Sequence, residues 1–208
     1  MTKPTGFPTR AQAEALLAEA EARNPGPWAA HSRVSALGAA ALAARHPDLD
    51  EDTAYTAGLL HDIGRRAGVT AMRHVLDGYL YLNELGFPGA ARISLTHSFP
   101  IQDLACGAGH WDCTAEEMAF TAQALRGLEY DVYDRLIQLI DAVALPAGCC
   151  IMEKRMVDVA LRHGFNAWTL NKWRAYFDLQ SRFESELGCS IYSLLPDVSA
   201  TSFAARSA

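Results

Sequence analysis

Thr56-Ala57-Gly58-Leu59-Leu60-His61-Asp62-Ile63-Gly64-Arg65 is the stretch on which the reading of this chain turns. Its first half is small and apolar, the composition of a buried helical face. Asp50 is a suitable N-cap for a helix over 51–63, which Gly64 then stops. Where that helix leaves the core, an imidazole and a carboxylate stand side by side and offer nitrogen and oxygen donors to one cation. A His-Asp pair alone is weak evidence, because short motifs recur by chance. The local alternative is that Asp62 pairs with Arg65 or Arg66 while His61 packs.

Outward from this stretch the chain reads as helices throughout. Thr9 caps a helix over 9–23, which Asn24-Pro25-Gly26-Pro27 breaks; a second runs from Trp28 to just before His46-Pro47. Further helices are expected over 71–85, 88–97, 115–126, 131–145, 150–162 and 166–187, the seventh closed by Pro146 and Gly148 and the last by Gly188. No alternating β-branched segments point to strands, so the expected class is all-α. The expected division is an N-terminal helix and breaker over 1–27, a metal-binding core over 28–145, C-terminal helices packed on it over 146–196 and a flexible tail over 197–208. Trp168, Leu170, Trp173, Phe177, Phe183 and Leu187 form an aromatic and aliphatic stripe at about helical spacing, read first as core and second as a platform for a base.

The chain has 208 residues, half hydrophobic and a fifth charged, enough for one sizeable core. Eighteen Lys and Arg against 24 Asp and Glu leave a net charge of −6, which repels a polyanion, so a nucleic acid polymer is not an expected partner. A small phosphorylated molecule is, since a few local cations outweigh distant charge. Apolar runs are too short for a membrane span. The five cysteines form no CxxC pair, which fits a reducing cytoplasm.

Asp141 lies in Arg135-Leu136-Ile137-Gln138-Leu139-Ile140-Asp141-Ala142-Val143-Ala144, with Ile137 a turn before it and Leu145 a turn after on one face. A carboxylate on an apolar face needs a cation, either a metal or an arginine. His31, His74 and His97 fall within expected helices rather than loops, whereas His46, His110 and His163 stand at element ends. Gly78, a turn after His74, leaves room for a ligand or another backbone. Together with His61 and Asp62 these residues make a mixed nitrogen and oxygen set suited to Fe, Mn, Co, Ni or Zn.

At this point the chain resembles the HD superfamily of metal-dependent phosphohydrolases. The order His31, His61-Asp62, Asp141 is similar to the signature H…HD…D, and the wording matches around Trp28-Ala29-Ala30-His31-Ser32-Arg33-Val34, Gly58 to Arg65 and Leu139-Ile140-Asp141-Ala142. The resemblance covers residues 28–145 and implies an HD-domain helical bundle in which those four residues hold a divalent transition metal. It is also similar to dinuclear members, which carry two more histidines between the HD pair and the last Asp. That implies a second metal held by His74 and His97, with Asp62 bridging. The implied activity is hydrolysis of a phosphate ester of a nucleotide or small metabolite by a metal-activated hydroxide. Asp62, Arg65 and Arg66 are the expected catalytic residues, and Arg73 is a further nearby cation. Lys154 and Arg155 could reach the site from the next helix, although exposed charged faces look the same. Two alternatives stand beside this: a di-iron oxygenase of the same superfamily, cleaving a C–P or C–C bond, and a ligand-sensing domain without turnover. The stretch ahead of His31 offers no obvious Tyr and Glu of the oxygenase kind, and no metal ligand is missing, as a silent domain would allow.

Overall fold

Side-chain caps begin four of the helices. Thr9 caps α1 (Arg10–Arg23), Asp50 caps α3 (Glu51–Leu60), Thr114 caps α6 (Ala115–Arg126) and Asp131 caps α7 (Val132–Asp141). Each accepts a bond from a backbone N–H that the first turn leaves without a partner, a cap commonly contributing about 1 kcal/mol. The remaining helices in the computed structural model are α2 (Pro27–Ala43), α4 (Arg73–Glu84), α5 (Pro88–Thr96), α8 (Met152–His163), α9 (Thr169–Leu187) and α10 (Val198–Phe203). Residues 4–204 are described, and the fold is all-α; among the described residues the only strands are one two-residue antiparallel pair, β1 (Ala144–Leu145) with β2 (Gly148–Cys149).

α7 is the axis of the largest core. Leu136, Ile137, Leu139 and Ile140 are fully buried against Ala39 and Leu42 of α2 and against Tyr176, Leu179 and Phe183 of α9. A second cluster joins Leu17 of α1 to Leu59, Leu60 and Ile63, and a third gathers Val75, Phe99 and Leu125. Gln138 is also buried on α7, and its Nε2 donates to the carbonyls of Thr96 and Phe99. That amide fastens the C-terminal end of α5 to α7. Of the aromatic stripe, Phe183 is core, while Leu170 and Phe177 are exposed.

Glycines set the closest helix approaches. A Cβ on Gly58 would stand 2.7 Å from the Ser35 carbonyl oxygen, one on Gly64 1.9 Å from that of His74, and one on Gly78 2.1 Å from Ser94 Oγ. Gly78 therefore makes room for the Gly64 turn and for α5, not for a ligand. Gly64 likewise does not stop a helix: α3 ends at Leu60, and Ile63–Ala67 follows as a 3-10 turn pressed against α4. The α7 helix also ends sooner than expected. It stops at Asp141, after which Val143 accepts from the Cys150 N–H and the β1–β2 hairpin begins.

The expected tail differs in kind. Val198–Phe203 is helical, Thr201 is buried, and Lys154 Nζ donates to the carbonyls of Thr201 and Ser202. A long-range ammonium satisfies carbonyls at the end of this short helix, information absent from its Ser- and Ala-rich composition. Residues 205–208 of that expected tail, and residues 1–3 of the N-terminal segment, lie outside the described part. No helix among the described residues is long and apolar enough to cross a membrane.

Gly64→Ala should lower stability by roughly 1–3 kcal/mol, the usual cost of overpacking, because its methyl meets backbone rather than a movable side chain. Thermal unfolding should show this as a loss of roughly 2–4 °C per kcal/mol; a wild-type Tm would refute the proposed crossing.

Candidate metal centre

Three helices aim their C-terminal ends at one point. His61 is the C-cap of α3 and Asp62 follows it, His97 is the C-cap of α5, and Asp141 is the last residue of α7. Unpaired carbonyls give such ends partial negative charge, so together they favour a cation. His31 comes from the second turn of α2 and His74 from the first turn of α4. The four histidines and Asp62 are buried, and the Asp141 side chain retains 18 % exposure.

Local backbone orients three of the rings. His61 Nδ1 lies 2.7 Å from the Gly58 carbonyl, His74 Nδ1 2.5 Å from that of Ala71 and His97 Nδ1 2.9 Å from that of Ser94. Each Nδ1–H thus donates to a carbonyl three residues back, so that in the neutral form of each ring the Nε2 lone pair faces inward. This arrangement fixes the tautomer of metal-binding imidazoles.

The inward atoms repel one another unless something positive lies between them. His31 Nε2 and His61 Nε2 are 3.1 Å apart, and His74 Nε2 and His97 Nε2 3.4 Å apart. Asp62 Oδ1 is 3.2 Å from His74 Nε2 and 3.6 Å from His97 Nε2, yet no hydrogen bond reaches it. Donors at about 2.1 Å from a shared ion fall roughly 3.0–3.4 Å apart around octahedral or tetrahedral centres, so this spacing suits a cation. Two triads result, His31 with His61 and Asp62, and Asp62 with His74 and His97. Asp62 belongs to both. Asp141 sits beside the first, with Oδ1 3.1 Å from His31 Nε2.

Charge states agree with a cation-binding cluster. Burial, reinforced by the neighbouring His61, pushes the His97 imidazole down to about 3, and burial also lowers His31 against the pull of Asp141. Burial works to raise both carboxyls. Arg65 nevertheless holds Asp62 well below the usual carboxylate range, as His31 and Arg155 do Asp141. Ionised carboxylates at Asp62 and Asp141, with the His31 and His97 imidazoles biased to the neutral form, are the states that ligate metal.

The cluster opens into a cavity of about 640 Å³ between the helices that carry it and α8–α9. Arg65 lines it, with Nε 2.8 Å from Asp62 Oδ2 and its terminal nitrogens without a protein acceptor among the described residues. Arg66 does not reach it. Its Nη2 is 3.1 Å from Glu19 and its guanidinium stacks 4.0 Å over Tyr81, because one step along the 3-10 turn points it to the opposite side. The expected catalytic place of Arg66 is corrected accordingly. Arg73 is likewise taken up by Asp77 and Glu117. Neighbours Lys154 and Arg155 part in the same way: Lys154 faces α10, whereas Arg155 Nε donates to the Asp141 carbonyl and Nη2 lies 3.5 Å from its carboxylate. His163, read as an element-end residue, lines the cavity; His46 is buried elsewhere against Glu186. Sequence reading passed over Lys172 altogether, a cavity-lining residue whose only signal was a polar position on an otherwise inward face of α9.

Asp62→Ala should remove essentially all bound metal, as measured by elemental analysis, with helicity by circular dichroism largely kept. Wild type should hold about two metals per chain, and replacing His74 and His97 together by alanine should leave about one. Equal metal content in wild type and the double variant would exclude the second triad as a binding site.

A comparison with protein families matches residues 28–145, more than half of the chain, to the HD domain. No curated protein and no solved structure matches the chain. The matched segment begins one helix turn before His31 and ends just after Asp141, so it contains all six donors. This chain belongs to the HD domain family.

Proposed function

We propose that the protein is a metal-dependent hydrolase acting on a phosphate ester of a nucleotide or small phosphorylated metabolite. The observation that carries this reading is Asp62, a buried carboxylate shared by two imidazole triads with one oxygen lacking any proton donor. Divalent cations bound there would lower the pKa of water and polarise a phosphoryl oxygen. Hydrolysis forms one P–O bond from water and breaks the ester P–O bond, and the leaving oxygen takes up a proton.

The chain's own residues would divide the remaining work. Arg65 fixes Asp62 through Nε and keeps its terminal nitrogens for two phosphoryl oxygens, the planar fork that suits such a group. Arg155 bonds the Asp141 backbone and approaches its carboxylate, and also bonds Asp158, so it positions a ligand rather than binding substrate. Trp28, Leu145, Met156, Trp173 and Tyr176 give the cavity an apolar wall that limits water around the reacting group. The volume suits a substrate larger than phosphate alone.

The experiment is phosphate release from a panel of nucleotides and phosphoesters, run in air and under argon with the metal content measured. Oxygen-independent release supports the hydrolase. Iron with strictly oxygen-dependent turnover would replace it with the oxygenase, and metal binding without turnover on any substrate with the sensing domain. Arg65→Met should lower kcat/KM by about 10²–10³-fold, the scale of losing a group that stabilises developing charge. Arg66→Met should change it by no more than about twofold, since its exposed partner places it outside the cavity.

A further inference from the structure

Lys172 stands on the cavity-facing side of α9, and the residue as a whole is only 9 % exposed. Burying an ammonium is costly unless it is paired. The other strong cations of this cavity are paired: Arg65 with Asp62, Arg155 with Asp141 and Asp158, Arg162 with Asp158. Lys172 has no carboxylate within 4 Å and no hydrogen-bond acceptor among the described residues; its Nζ lies 5.8 Å above the Tyr176 ring. It shares the cavity wall with Asp141 and with the loop at Cys106–Gly109. Burial pushes the ammonium down from its ordinary value, the response of a cation that lacks its counterion.

The loop beside it is held in place. Asn166 Nδ2 donates to the carbonyls of Ala105 and Gly107, and Asn166 Oδ1 accepts from the Trp168 N–H, tying the start of α9 to this loop. The amides of Ala108 and Gly109 have no acceptor among the described residues. Lysine and loop both border the cavity, and α9 lies outside the segment that matches the family.

We propose that Lys172 is an anion anchor of this cavity, pairing with an oxyanion of the substrate. The inference rests on the hydrolase reading only for the word substrate; the unpaired buried cation would bind an oxyanion in any case. The oxyanion is either the phosphoryl group at the metal ligands or a second acidic group farther along the same molecule.

Titration calorimetry of the metal-loaded protein with inorganic phosphate and with pyrophosphate tests this, comparing wild type with Lys172→Met. Affinity should fall about tenfold or more, the scale of a charge-assisted contact, while metal content stays constant and Tm does not drop, since an unpaired buried charge has been removed. Weaker binding of both probes assigns Lys172 to the reacting phosphoryl group, and weaker binding of pyrophosphate alone assigns it to a second acidic group. Unchanged affinity for both overturns the proposal, whatever happens to Tm. Should the variant fail to fold, reductive methylation of the wild type gives the answer: phosphate or pyrophosphate should shield Lys172, and equal labelling with and without them overturns the proposal. Phosphoester turnover measured on the same wild-type preparation separates the two readings, because a protein that binds oxyanions through Lys172 without hydrolysing any ester keeps the anchor and loses the hydrolase.

Discussion

Asp62 is held where an uncompensated carboxylate would be untenable. It is buried at the end of α3, next to helix ends that carry partial negative charge, and one of its oxygens has no proton donor. Arg65 compensates for part of this on one side only. The rest requires positive charge at the point where the imidazole lone pairs also converge. That single requirement explains why three helices end at the same place, why their terminal carbonyls are spent on His61 and His97, and why the ligands come from five separate helices.

Such convergence demands close backbone approach. The Gly64 turn touches α4 at His74, and Gly78 in turn accommodates the turn and Ser94. These contacts pack the Gly64 turn, the start of α4 and α5 tightly together, so the positions of Asp62, His74 and His97 are set by one another. Gln138 extends this packing to α7 and thereby to Asp141. A site built from packed helices in this way keeps its donors within the narrow tolerance a metal accepts.

The cations around the cavity show how similar residues take different roles. Arg65 and Arg66, or Lys154 and Arg155, are adjacent in sequence and face opposite ways, one of each pair toward the site and the other toward an outer helix. Pairing then separates those that reach the cavity. Arg155 is occupied by protein carboxylates, Arg65 is half occupied, and Lys172 is unpaired. Availability for an incoming anion rises in that order.

Much of this was legible in the chain itself. Caps at Thr9 and Asp50, breakers at Pro25 and Pro27, and apolar runs around Leu59 and Ile137 specify local helices, because they act through the backbone within a few residues. The ordered set His31, His61-Asp62, Asp141 with His74 and His97 between also named the six donors, since that chemistry depends on residue type. Tertiary structure decided what distance in sequence conceals. It ended α3 at Leu60 and α7 at Asp141, turned Gly64 from a helix stop into a contact surface, and sent Arg66 to Glu19 and Tyr81. It also folded Val198–Phe203 onto Lys154 and placed Arg155 and Lys172 in the cavity wall. The physical reason is the same in each case: a side chain's partner, and so its charge balance, is set by which helices lie across from it, and no local pattern records that.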